Sequence, residues 1–276
     1  MKIIYQLLSI VFLALVLTNC SKDSDSVTAQ DADINFSFDY TKKDNRLRLG
    51  QAQFTSEEIA KAEKDFATSL ANAKGARNKT VAAATFLVSM KYAVPYAYEW
   101  KNSEMKQKYI ARFTKKGLFL RPFKEGGVTH KPWGALVETH PRYPRHTVKN
   151  LGDTFENGLN CSSFLGWALY NGGAVTDVAL LERTYAGNYA VFPNTYSVSL
   201  KKGIDNIRVG DLIGFNKAHI AIVIGVKGDN IIYASAEGGS VHPGAGVRRI
   251  SFNKKKINFD TFMYKYIVKM ERVYND

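Results

Sequence analysis

Asn160-Cys161-Ser162-Ser163-Phe164-Leu165-Gly166-Trp167-Ala168-Leu169-Tyr170-Asn171-Gly172-Gly173 is the stretch whose reading decides the fold. Phe164 with Ala168, and Leu165 with Leu169, repeat at i,i+4 and give one apolar stripe, and Gly172-Gly173 supplies a stop signal. The pattern predicts a helix with Cys161 in its first turn and Asn160 or Ser162 as its cap. A thiol in that turn sees unpaired N–H groups and the positive end of the helix dipole, which favour the thiolate. An arbitrary lone cysteine reads as a small buried hydrophobe. The surroundings of Cys161 instead favour a nucleophile.

Downstream the chain reads as strands. Residues 208–215 are entered through a Gly210-Asp211 turn, residues 218–225 contain His219, and residues 230–236 follow the turn at Lys227-Gly228-Asp229. Residues 247–252 and 264–273 read as two more. Upstream, Thr55-x-x-Glu58 is a capping box, with Ile59, Ala62, Phe66 and Leu70 on one helical face. A second helix is expected over 79–90, with a break at Val94-Pro95-Tyr96, because proline disfavours helix in the residue before it. A helical half with a cysteine followed by antiparallel strands indicates an α+β fold, and there are no internal repeats. Residues 101–158 hold four prolines, three of the five histidines and many basic residues, and are expected to form loops and short strands that wall a cleft.

The first residues, Met1-Lys2 and then an uncharged run over 3–17, have the form of a secretion signal and are too short to favour a stable membrane span. The run ends in Leu17-Thr18-Asn19-Cys20, which resembles the lipobox of bacterial lipoproteins. That resemblance implies cleavage before Cys20, lipidation of Cys20, and a protein anchored in the cell envelope on the periplasmic or outer-surface face. Cys161 is then the one remaining thiol; a Cys20–Cys161 disulfide is the alternative. Residues 20–50, rich in Ser, Asp, Lys and Asn, read as a flexible tether to a domain over 51–276.

Removing residues 1–19 takes away only one charged residue, Lys2, and lowers the net charge from +13 to +12. Such a surplus suits an anionic partner. An exported, lipid-tethered chain excludes nucleic acid in favour of wall peptides, wall polymers or lipid headgroups. About 225 residues beyond the tether suffice for one substantial core. A monomer is expected.

A cysteine nucleophile needs a base within hydrogen-bond reach, and the base needs a third group to hold its tautomer. His219 opens an apolar strand and is the candidate base. His130, His140 and His146 fall in the Pro-rich insertion and His242 in a Gly-rich loop, where solvation or substrate contact is expected. No metal-ligand spacing occurs, and no cofactor is expected. Counting outward from a turn centred on Gly228 sets His219 opposite Glu237. A longer or bulged turn brings Tyr233 or Ser235 alongside instead.

Asn160-Cys161-Ser162-Ser163-Phe164 with Trp167-Ala168-Leu169, then Gly210-Asp211-Leu212-Ile213, then His219-Ile220-Ala221-Ile222-Val223-Ile224-Gly225, resembles the NlpC-type family of papain-like cell-wall peptidases. Val94-Pro95-Tyr96 resembles the family's upstream Pro-Tyr segment. The resemblance spans roughly residues 79–252. It implies a papain-like fold with the nucleophile helix on an antiparallel sheet. It also implies Cys161 as nucleophile, His219 as base, and Tyr96, with Ser162 and Asp211, as helpers or substrate contacts. For the third residue, alignment favours Tyr233 where the hairpin count favours Glu237. The implied substrate is the peptidoglycan stem peptide, commonly cut between the γ-carboxyl of D-glutamate and a diamino acid. The family usually has Asp-Cys-Ser-Gly where this chain has Asn160-Cys161-Ser162-Ser163. A lipid or amide acyl hydrolase on the same fold and a non-catalytic wall-binding lipoprotein are the competing readings.

Overall fold

Thr55 starts the first helix as its sequence pattern requires. In the computed structural model, its hydroxyl accepts the Glu58 N–H at 3.1 Å and the Glu58 carboxylate accepts the Thr55 N–H at 2.9 Å, opening α1 (Ser56–Asn72). Two donors otherwise orphaned at a helix start are thereby satisfied. The structure describes residues 44–97, 116–125, 127–138, 154–176, 195–215, 219–238 and 246–275. All of these fall in one compact unit, Ile34–Asp276. The expected signal segment, Cys20, most of the tether, His140, His146, His242 and much of the 101–158 insertion lie outside the described residues.

Helix α2 (Gly75–Ser89) begins before the expected residue 79. Its polar first turn is drawn inward by Arg77, whose guanidinium bonds the Val209 carbonyl at 2.8 Å, a long-range contact that no local apolar period reports. Within the insertion, β1 (Phe123–Glu125) and β2 (Val128–His130) form one hairpin, and β3 (Leu136–Glu138) and β4 (Thr154–Glu156) form another pair. Expected to be solvated or in contact with substrate, His130 is instead buried and stacked on Phe123 with ring centroids 4.7 Å apart. The insertion packs on α3 (Cys161–Gly172) through Trp133, which meets Trp167 edge-on at 5.8 Å.

Beyond α3 come β5 (Tyr196–Ser199), α4 (Leu200–Gly203), β6 (Leu212–Phe215), β7 (His219–Lys227), β8 (Asn230–Glu237), β9 (Gly246–Asn253), β10 (Tyr266–Lys269) and α5 (Glu271–Tyr274). The six strands form one antiparallel sheet in the order β5-β10-β6-β7-β8-β9. Side chains alternate across it. Leu212, Ile220, Ile222, Ala234 and Val268 face one core with Leu87 of α2 and Phe164, Trp167 and Leu169 of α3. Ile213, Ala221, Val223, Tyr233 and Ile267 face a second core, which Leu200, Ile204 and Tyr264 help to close. The fold is therefore α+β, with the cysteine helix packed on an antiparallel sheet.

Three boundaries differ from expectation. The short edge strand β5, Tyr196-Ser197-Val198-Ser199, is four residues long and exposed along most of its length, too short a run for pattern reading. The expected strand over 264–273 is cut to β10, and its tail turns helical as α5, returning Tyr274 so that its hydroxyl donates to the Gly210 carbonyl at 3.0 Å. Residues 44–50, expected to belong to the tether, are part of the domain: Arg46 donates to the carbonyls of Leu87, Met90 and Val247, and Leu49 N–H bonds Ala93 O.

Candidate active site

Asn160 caps α3. Its side-chain oxygen accepts the Ser163 N–H at 2.8 Å, and the Ser163 hydroxyl oxygen accepts the Asn160 N–H at 2.8 Å. The two positions at which the motif departs from the family pattern are thus one reciprocal capping box, the neutral amide at 160 being matched by the hydroxyl at 163. The Asn160 carbonyl takes the Phe164 N–H, so this cap uses neither the Cys161 nor the Ser162 N–H. Cys161 is buried at the helix start, with its Sγ 4.0 Å from the Ser162 hydroxyl.

The approach to α3 is equally fixed. Leu159 N–H donates to Pro95 O at 3.0 Å and Ala97 N–H to Leu159 O at 3.3 Å, so residues 95–97 run beside the chain that enters the helix. The two strands touch so closely that a Cβ on Gly158 would lie 1.9 Å from the Pro95 carbonyl oxygen. Tyr96 therefore sits next to the chain that leads into Cys161, and its ring covers Gly238, where a Cβ would come within 2.3 Å of it.

His219 is delivered by the β7–β8 hairpin. The turn is two residues long, with Lys227 paired to Asn230, so it is centred between Gly228 and Asp229. A bulge at Ile224 then moves the register by one, giving Val223↔Tyr233 and Ile222↔Ala234. Carried to the strand ends, this register sets His219 opposite Glu237. Their side chains meet with His219 Nε2 3.3 Å from Glu237 Oε1, and Ser235, on the same face, puts its hydroxyl 2.8 Å from the same nitrogen. The Cys161 thiol lies beside the ring and raises its proton affinity.

Electrostatics favour a charged ring. Burial acts most strongly on His219 and opposes its protonation, but the hydrogen bonds and charges of Cys161 and Glu237 together outweigh it and push its pKa up to about 9. Burial likewise opposes charge on Glu237, yet bonds from His219, Ser235 and Tyr264 hold its carboxyl below the usual value. Tyr233 and Tyr264 are both pushed up, first by burial and then by neighbouring groups that include the Glu237 charge, and so remain neutral phenols.

The geometry thus brings together Cys161, His219 and Glu237, with Ser235 beside them. Tyr233, the other candidate for third residue, lies deeper and meets Tyr264 edge-on at 5.2 Å. Tyr264, which no sequence signal singled out, donates its hydroxyl to Glu237 at 3.4 Å. Asp211 was expected to assist at the site and does not reach it. It is fully buried, accepts the Arg208 N–H, and is paired with Lys269 at 2.5 Å and Arg77 at 3.8 Å. Among the described residues no group of three or more His, Cys, Asp or Glu side chains converges as a metal site would, and no helix is long and apolar enough to cross a membrane. The arrangement can activate a thiol and protonate a leaving group.

No family description, no curated protein and no solved structure matches the chain.

Proposed function

We propose that this chain is a cysteine peptidase of papain-like NlpC type that hydrolyses amide bonds in peptidoglycan stem peptides. One observation carries the reading: a single imidazole, that of His219, lies beside a thiol at a capped helix start and 3.3 Å from the half-buried carboxylate of Glu237. That is the nucleophile, base and orienting group required for acyl transfer.

The Cys161 thiolate attacks the amide carbonyl carbon, and the oxyanion takes hydrogen bonds from backbone N–H groups of the first turn, including that of Cys161. His219 gives its proton to the leaving amine as the C–N bond breaks, leaving a thioester. Water loses a proton to the now neutral imidazole and attacks the thioester, releasing the carboxylic acid and restoring the thiolate–imidazolium pair. Glu237 stabilises the imidazolium in both charged states of the cycle. Tyr96, whose ring covers Gly238 next to Glu237, flanks the same site.

The substrate class follows from the family resemblance and from the charge of +13, which suits the free carboxylates of wall peptides. The bond favoured is that between the γ-carboxyl of D-glutamate and a diamino acid. The lipobox-like segment at Cys20 supports an envelope lipoprotein; Cys20→Ser should move the protein out of the membrane fraction, and unchanged partition would remove the anchor from the account.

Digestion of purified peptidoglycan, with mass analysis of the soluble fragments, tests the activity. The wild-type chain should release fragments ending at D-glutamate and Cys161→Ala should release none. Intact wall with hydrolysis of acyl amides of lipids would move the chemistry to the lipid reading. Silence toward both substrates would favour a binding protein.

A further inference from the structure

We infer that Tyr264 is a positioning residue of this site, whose buried hydroxyl holds the Glu237 carboxylate against Nε2 of His219. The inference rests on the cysteine-hydrolase reading above and adds a fourth layer to it, beyond nucleophile, base and carboxylate.

Glu237 needs such a hold. It is the last residue of β8, and its side chain keeps 19% of its surface exposed, so water competes for its oxygens. Tyr264 keeps 1%. Its hydroxyl reaches Glu237 Oε1, the same oxygen that faces His219. A bond from a fully buried donor cannot be exchanged for water without opening the core.

The Tyr264 ring is itself immobilised. Tyr233 meets it edge-on at 5.2 Å, Phe262 lies at 5.8 Å and His219 at 5.9 Å. The next residue clamps the backbone, since Lys265 N–H donates to Gly214 O and Leu200 N–H donates to Lys265 O, both at 2.9 Å. Among the described residues, the groups facing His219 include Cys161 from α3, Ser235 and Glu237 from β8, and Tyr264 from the segment before β10, with Tyr233 behind.

Donor counting gives the sense of each bond. Nε2–H is shared between the Ser235 and Glu237 oxygens, and Tyr264 O–H supplies Glu237 with a second donor. Two donors on the carboxylate favour its charged form, and a charged Glu237 keeps His219 protonated. Loss of the Tyr264 hydroxyl lets Glu237 turn to solvent and lowers the proton affinity of His219.

The test compares wild type, Tyr264→Phe, Glu237→Gln and the double variant. Tyr264→Phe retains the ring and its packing. Its alkaline limb of amide hydrolysis should move down by roughly one pH unit, with kcat lowered about tenfold and KM little changed. In the Glu237→Gln background Tyr264→Phe should add almost nothing, because one acts through the other. The pH dependence of Cys161 alkylation by iodoacetamide reports the same shift without any substrate. If no amide is cut at all, the functional reading fails while the alkylation profile still decides for or against Tyr264. A lower melting temperature with unmoved pH limbs, or full additivity with Glu237→Gln, would overturn the inference and leave Tyr264 a packing residue.

Discussion

Two buried pairs of acid and base stand on the same sheet and serve different ends. Asp211 and Lys269 join the start of β6 to the end of β10, with side chains 0% and 9% exposed. The remaining bonds go to fixed groups: the Lys269 ammonium to Asn206 O, Asp211 to Arg208 N–H and Arg77. His219 and Glu237 are 14% and 19% exposed, at strand ends rather than under the sheet. Here the cation is an imidazole, and a thiol lies beside it. A buried pair becomes a site when one partner can give up its proton at ordinary pH and something reactive lies next to it.

Breaking each pair should therefore break a different property. The largest effect falls on Cys161→Ala and His219→Ala, each of which should lower amide hydrolysis by about a thousandfold or more while the melting temperature changes little. Asp211→Ala should do the reverse: it strands Lys269 and Arg77 in the core and should cost about 3–5 kcal/mol of stability in denaturant titration, with turnover per folded molecule retained. If Asp211→Ala folded normally and lost activity, the contrast between the two pairs would be wrong. Glu237→Gln keeps the shape of the pair and removes its charge; turnover should fall by roughly tenfold to a hundredfold.

The same contrast sharpens with pH. His219 is protonated more readily in the fold than at its ordinary 6.5, so the stability it adds is complete below about 6.5 and is lost as pH rises through about 9. Glu237 is held below its ordinary 4.5, so its contribution is present above 4.5 and is lost as pH falls through the lowered value. The stability gap between wild type and Glu237→Gln should thus be widest between about pH 4.5 and 6.5 and should shrink toward pH 9. A gap that grew with pH would contradict the pairing. The smallest effect is expected from Tyr233→Phe, which should change turnover by less than about threefold, because its phenol lies behind Tyr264 and not at the imidazole.

The parts of this site that were legible in the sequence are the local ones. The α1 cap at Thr55 and the α3 cap at Asn160 are written within four consecutive residues each, and the structure forms both. The facing of His219 and Glu237 was also readable, but for a compensated reason: the turn is centred half a residue beyond Gly228, and the bulge at Ile224 returns the strands to the register that a centre on Gly228 gives. Gly225, an isolated glycine inside a strand pattern, marks the neighbourhood of the bulge but not its size or direction, so counting alone could not have distinguished this from a slipped pair. Tyr264 was not legible as a site residue, because it reaches Glu237 from another segment through the order of the sheet. Asp211 was misplaced for the same reason: its local Gly-Asp turn looks like a site edge, and only Lys269 and Arg77, both distant in the chain, reveal it as buried.

The pairing of Cys161 with His219 is the centre of the account, and its most direct test needs no substrate. The rate of iodoacetamide alkylation of Cys161 should be measured at pH 6 in wild type and in His219→Ala, each confirmed as folded. A cysteine beside a charged imidazole is the more reactive toward electrophiles. Wild type should therefore react about tenfold faster or more than the variant. Equal rates would mean that His219 does not activate Cys161, and the proposed chemistry would fall with it.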